Sequence, residues 1–387
     1  MIRRPPRSTL SSSSAASDVY KRQIMMWGQM QNPRNIPFNW KTDTTQTIID
    51  LSELMIVLPR GSFQVLNYPK FIGKTEGLIN YFEREPVMSV EINGSAKAYP
   101  LNVLSIHEIA NDTLAGEPIL ATFCPLCNAS IVFDRRLNHE GQDYLLDFEV
   151  SGMLRKSDMV MADKQTETWW QQLMGKAIVG ELAGAELKII PSLVLSVNEF
   201  FDRYPDGKIL SKESGSEQAQ QAYGKNYYEN YDSEEGKPYG RFFEENNLDK
   251  RLPPMERVVD IRGLGEFKIY PFSIAAEKGV INDEFNGKNV ALFYQRGVVS
   301  VLDKKEISES KDIGTVTVFN SLLDGEVLKF KKVDDKFIDT KTSSVWDITG
   351  RCIEGKLKGK QLEIEPHGNH FAFAWLAFHP DTKIFGE

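Results

Sequence analysis

The chain carries three cysteines in 387 residues, and two of them stand three apart in "FCPLCNAS", Phe123 to Ser130. Two sulfurs at this spacing support three chemistries: a thioredoxin-type redox pair, a strained small-ring disulfide, or a turn offering two thiolates to one metal ion. A redox pair wants its first cysteine at the start of a helix, where the dipole lowers the thiol pKa. Here "NASIVFDRR" follows, which reads as a strand and argues for a knuckle between strands. A closed structural zinc site takes four ligands, commonly from two knuckles, and this chain has one. His107, one strand upstream, brings the donors to three and describes an open site. Cys124, Cys127 and His107 are therefore the candidate metal ligands, with copper(I) or zinc as the fitting ion and Met153 or Met159 as a possible thioether donor. If the ion is zinc holding a water, Asp158 and Asp163 are the candidate catalytic bases or supporting partners. The competing reading has the cysteines as small apolar core residues and His107 as a satisfied core histidine.

The elements that must position these groups are mostly strands. "VMSVEI" alternates, Asn93-Gly94 supplies a hairpin turn, and "AKAYPL" returns as the partner. "VLSIHEIAND" reads as a short helix, "PILATF" and "ASIVFDRR" as strands flanking the cysteines, and "YLLDFEVSG" and "DMVMADK" as further strands. "LSVNEFFDRYP" and "HFAFAWLAFHP" read as short helices stopped by Pro205 and Pro380. The expected class is α+β, mainly β. Strands do not alternate with full-length helices, and neither a GxGxxG nor a GxxxxGK element occurs, so no nucleotide cofactor is expected.

The sequence also resembles itself. "VEINGSAKAYPLNVLSIHEIAND" (Val90 to Asp112) is answered by "VDIRGLGEFKIYPFSIAAEKGVIND" (Val259 to Asp283), and "ADKQTETWW" by "IDTKTSSVW". Residues 175–209 align without a gap to 350–384 with 12 of 35 identities, where chance gives roughly 2, so duplication is expected. The expected division is a β-rich repeat over 86–210, a polar, aromatic connector over 211–255, and a second repeat over 256–387. Residues 24–85 form an N-terminal extension. The second repeat has "YQRG" where the first has "CPLC", and Lys278 where the first has His107, so the candidate site belongs to one copy alone. "GVVSVLDKK" is read as the counterpart of the strand after the cysteines. For His367, His370 and His379 a second site is weighed against surface or capping positions, and the latter are expected.

The net charge of −8 and pI near 5.4 argue against a nucleic-acid partner, which would require a concentrated basic face. No run of about 18 apolar residues reads as a transmembrane helix. Residues 1–23, "MIRRPPRSTLSSSSAASDVYKRQ", resemble sequencing-adapter read-through and are set aside. The true N-terminus is then expected to be missing, which leaves room for a signal peptide or lipid anchor ahead of residue 24.

The runs "EINGSAKAYPLNVLSIHEIANDTLAGEPILATFCPLCNASIVFDRR" and "VSGMLRKSDMVMADKQTETWWQQLMGKAIVGELAG", with the closing "FAWLAFHPDT", resemble the domain-of-unknown-function family numbered 3179. The resemblance spans about Leu58 to Phe385. It implies a bacterial or archaeal protein, often exported to the periplasm or cell envelope, and carries no assigned reaction. The function expected is metal-dependent or thiol-redox chemistry outside the cytoplasm through Cys124, Cys127 and His107. The alternative is a non-catalytic module holding a small ligand or peptide between the repeats, against Trp170 and the tyrosine-rich connector.

Overall fold

The computed structural model describes residues 40–387 apart from Leu264. The segment resembling adapter read-through, and the extension up to residue 39, lie outside the described residues. Short strands dominate, and none of the described α-helices exceeds seven residues. The chain is therefore α+β and mainly β. None of the helices is long and apolar enough to cross a membrane.

Two stretches follow the same order of elements. In the first, Pro86–Ile92 and Ser95–Pro100 form a hairpin and Leu101–His107 a helix, then Ile109–Leu114, Glu117–Cys124 and Ala129–Asp134 form a meander. In the second, Arg257–Gly263, Glu266–Pro271, helix Phe272–Lys278, Val280–Phe285, Lys288–Gln295 and Thr315–Asn320 succeed one another likewise. The turn at Asn93-Gly94 has φ of 51° and 78°, the left-handed pair that a two-residue hairpin demands. "IAND" departs from the helix expected of it. The helix ends at His107, and Ile109 already pairs with Thr122 because both faces of that segment are buried.

The same polar fastenings recur. Asp112 accepts from Tyr99 Oη (2.6 Å) and Lys97 Nζ (2.7 Å), as Asp283 does from Tyr270 Oη (2.9 Å) and Lys268 Nζ (2.5 Å). Trp170 Nε1 donates to Asp163 Oδ2 at 2.9 Å, and Trp346 Nε1 to Asp339 Oδ2 at 3.2 Å. Gly175 and Gly350 hold φ of 63° and 74°, and a Cβ on either would fall 2.5 or 2.6 Å from the Cε1 of Phe133 or Phe319. Glycine is required twice there, by conformation and by space.

One expected correspondence fails. The strand that pairs with Lys288–Gln295 is Thr315–Asn320, and "GVVSVLDKK" belongs to an excursion over 296–314 without regular strand. Its apolar residues made it read as strand, but Val299, Val301 and Leu302 are buried in the main core without a sheet partner of that kind. The connector is fastened to this excursion: Asn230 N donates to Asp303 O and Tyr231 N to Leu302 O. Buried Asp232 joins them by accepting from Ser300 Oγ (2.6 Å) and Arg257 Nη2 (2.5 Å).

The largest sheet runs through both stretches. Ala129–Asp134 lies beside Glu117–Cys124 on one edge. On the other it meets Ile189–Ile190, and Ser130 pairs with Asn369 of the second stretch. The core around the cysteines is accordingly continuous across the molecule.

Candidate metal centre and its cavity

The knuckle is built by its own sequence. Glu117–Cys124 ends at the first cysteine, and Pro125–Cys127 makes one 3₁₀ turn, with the proline ring presetting φ at its first position. Asn128 then adopts a left-handed conformation, φ 49° and ψ 29°, which asparagine tolerates better than most residues, and the strand resumes at Ala129. No α-helix follows either sulfur. The helix-start geometry of a thioredoxin-type pair is absent, and the turn between strands is the one expected.

Asp158 arrives from the neighbouring sheet. Lys156 and Ser157 both have positive φ and turn Phe148–Arg155 back into Asp158–Asp163, so Asp158 is the first residue of a buried strand. The two sulfurs of Cys124 and Cys127 and a carboxylate oxygen of Asp158 all fall within 4.8 Å of one another, and all three residues are buried. Asp158 Oδ2 accepts from Gln171 Nε2 at 2.5 Å and Leu173 N at 3.0 Å, whereas Oδ1 has no N–H or O–H donor. The carboxylate is thus held by one oxygen and leaves the other for the sulfurs.

His107 is placed elsewhere. Its Nδ1 is hydrogen-bonded to the Gln64 carbonyl and its Nε2 to Tyr223 Oη at 2.6 Å. Both ring nitrogens are spent, and His107 does not join the cysteine group. The next residue, Glu108, caps the helix and borders the neighbouring cavity. Asp163 is also apart from the cluster: it accepts from Trp170 Nε1 and Thr166, which makes it a fastening of the strand end. Met153 and Met159 line the cavity next to the cluster. The C-terminal histidines depart from the expected surface position: His367 and His370 are buried, with His370 Nε2 on Asp260 Oδ1 at 2.9 Å.

Burial sets the electrostatics. It pushes the thiols of Cys124 and Cys127 up, the latter well above its usual range. Burial also raises Asp158 to about 6, against the hydrogen bonds from Leu173, Gln171 and the two thiols that favour its charged form. Raised thiols make poor nucleophiles and poor redox partners. A cation would reverse the balance, because it stabilises all three anionic donors at once.

Beside the cluster lies a cavity of about 240 Å³. Its floor includes Leu126, between the two cysteines, and Met159, next to Asp158; its roof is Tyr239 and Phe242 of the connector. The connector touches the knuckle directly, since Tyr231 Oη donates to Leu126 O at 3.0 Å.

Glu108 also borders the cavity and was not legible as a site residue. It is 8% exposed, and burial, with the Asp158 charge adding, pushes it up to about 8. Its backbone has φ 59° and ψ −31°, outside the left-handed basin open to most residues. At the corresponding turn after the second helix stands Gly279, with φ 70° and ψ −37°. A glutamate where the equivalent turn has glycine was the available signal.

No curated protein and no solved structure matches the chain. A family model described as "Protein of unknown function (DUF3179)" matches residues 65–382, most of the chain's length, and the chain belongs to that family.

Proposed function

We propose that Cys124, Cys127 and Asp158 hold a single transition-metal ion, with a remaining coordination position turned to the adjoining cavity. The observation that carries this is the convergence of two buried thiols and a carboxylate whose Oδ1 lacks a hydrogen-bond donor. Two thiolates and a carboxylate suit zinc better than copper(I), which prefers soft donors throughout. Zinc with three protein ligands polarises a bound molecule or lowers the pKa of a bound water. Gln171 and the Leu173 amide would fix the carboxylate's direction, the part usually played by outer partners of a metal ligand. An exported setting belongs to the same proposal and is checked by cell fractionation.

We also take the two stretches to be copies of one module. The recurrent element order and the paired Tyr–Asp, Trp–Asp and glycine fastenings support this reading. On it, the second copy carries no counterpart of the thiols, since Gln295 ends the strand equivalent to Glu117–Cys124.

The test is metal analysis of the full chain purified without chelator. About one zinc per chain is expected, with the Cys124→Ser, Cys127→Ser double variant and Asp158→Asn losing it and His107→Gln keeping it. Absence of zinc, copper and iron, together with no uptake on adding zinc, overturns the proposal. Loss of metal in His107→Gln but not in Asp158→Asn would restore the histidine as ligand.

A further inference from the structure

We propose that the cavity beside the knuckle is a binding site for a small molecule with an apolar, ring-sized body and one hydrogen-bond donor, which Glu108 receives.

Size sets the first limit. About 240 Å³ lies just below the roughly 300–1,000 Å³ of pockets that take drug-sized ligands, which fits a guest of one ring and a short substituent. The walls set the second. Phe63, Met153, Met159 and Phe242 present apolar surface, and methionine and aromatic side chains suit a flat, weakly polar guest. Against this stands the carboxyl group of Glu108, which borders the cavity in a residue only 8% exposed. A carboxyl drawn out of bulk water by burial is costly, and a donor brought by a ligand offsets that cost.

The backbone at Glu108 points the same way. The conformation it adopts is the one that Gly279 supplies at the equivalent turn. Glutamate is disfavoured there, and nothing in the fold requires a side chain at that position, because the second stretch makes the turn with none. What the glutamate adds is a carboxyl on the cavity wall.

Arg241 also borders the cavity, so an anionic guest is the competing class. Three probes of one size separate the possibilities: benzyl alcohol, toluene and benzoate, titrated into the full chain by calorimetry or followed by ligand-observed NMR. Benzyl alcohol is expected to bind at least about tenfold more tightly than toluene, with benzoate weakest. Glu108→Leu is expected to bring benzyl alcohol down to the toluene level, while Glu108→Gln, which keeps an acceptor, retains most of the preference. Should Glu108→Leu not fold, Leu58→Trp, which fills the cavity, is expected to abolish binding of both. The inference is overturned if no probe binds, if toluene and benzyl alcohol bind alike, if benzoate binds tightest, or if Leu58→Trp leaves binding intact. The same order of probes in chelator-treated protein keeps this result separate from the metal reading, which can fail on its own.

Discussion

Glu108 makes two separable contributions to stability, and two substitutions tell them apart. In the folded chain its carboxyl is pushed up to about 8 from 4.5. The folded state therefore holds a proton that the unfolded chain releases, so stability falls as pH rises from 4.5 towards 8 and levels off beyond. Between pH 5 and pH 7 the loss is two pH units at about 1.36 kcal/mol each, on the order of 2.5 kcal/mol. At 8% exposure, solvent screens little of it. Glu108→Gln lacks this slope, so its stability relative to the native chain is expected to rise by about that amount over the interval. Glu108→Gly removes the unfavourable backbone as well. Relief of roughly 1–3 kcal/mol of strain exceeds the ~0.5–1 kcal/mol entropic cost of glycine, leaving the glycine variant about 1 kcal/mol above the glutamine variant at every pH. Urea unfolding of chelator-treated protein at pH 5, 6 and 7 measures both. A glutamine variant whose advantage is the same at pH 5 and pH 7 refutes the desolvation argument. A glycine variant no more stable than the glutamine one refutes the strain argument.

Other outcomes follow from the same geometry. Because both thiols are protonated near neutrality and must ionise to bind a metal, apparent zinc affinity should rise about 100-fold per pH unit between pH 6.5 and 8; a chelator-competition titration giving a slope near zero would rule out thiolate ligands. Gly175→Ala meets Phe133 as well as an unfavourable φ and should cost at least ~2 kcal/mol, whereas Gly184→Ala, with φ 95° and nothing within 4 Å, should cost only ~1 kcal/mol. Equal losses in urea unfolding would show that the close approach carries no weight. Against burial, which would raise it, Arg262 and His370 hold the Asp260 carboxyl well below its usual range. Its stabilisation is therefore present above about pH 3.8 and lost as pH falls towards the folded pKa. Asp260→Asn should cost ~3–5 kcal/mol at pH 7, and the gap from the native chain should narrow in acid; a gap independent of pH down to 2.5 would contradict the pairing.

The knuckle was legible because its evidence is local. Cys-x-x-Cys spacing, a proline that presets the turn and β-branched residues on the far side all lie within a dozen positions. The hairpin at Asn93-Gly94 and the short helix within "LSVNEFFDRYP", which spans Val197–Arg203, were legible for the same reason. The third donor was not. Asp158 reaches the sulfurs only through sheet packing across more than thirty residues, and nothing in its own neighbourhood distinguishes it from Asp163, which serves Trp170 instead. His107 drew attention by lying one strand before the cysteines and by having Lys278 at its place in the second repeat. Its partners, Gln64 and Tyr223, come from the extension and the connector, the two parts whose placement the sequence leaves undetermined. The 296–314 excursion misled because an apolar, β-branched run marks burial, and burial here comes without a strand.

The strand that follows the cysteines has neighbours on both sides, one of them Asn369 from far along the chain. A fragment ending near residue 210 would therefore present bare backbone amides and carbonyls beside the sulfurs. Such a row is a template for another strand, and the exposed partner nearest at hand would be a second fragment. The C-terminal stretch, though it carries no counterpart of the two knuckle thiols, acts as the sheath that keeps the sulfur-bearing sheet from joining with its own kind.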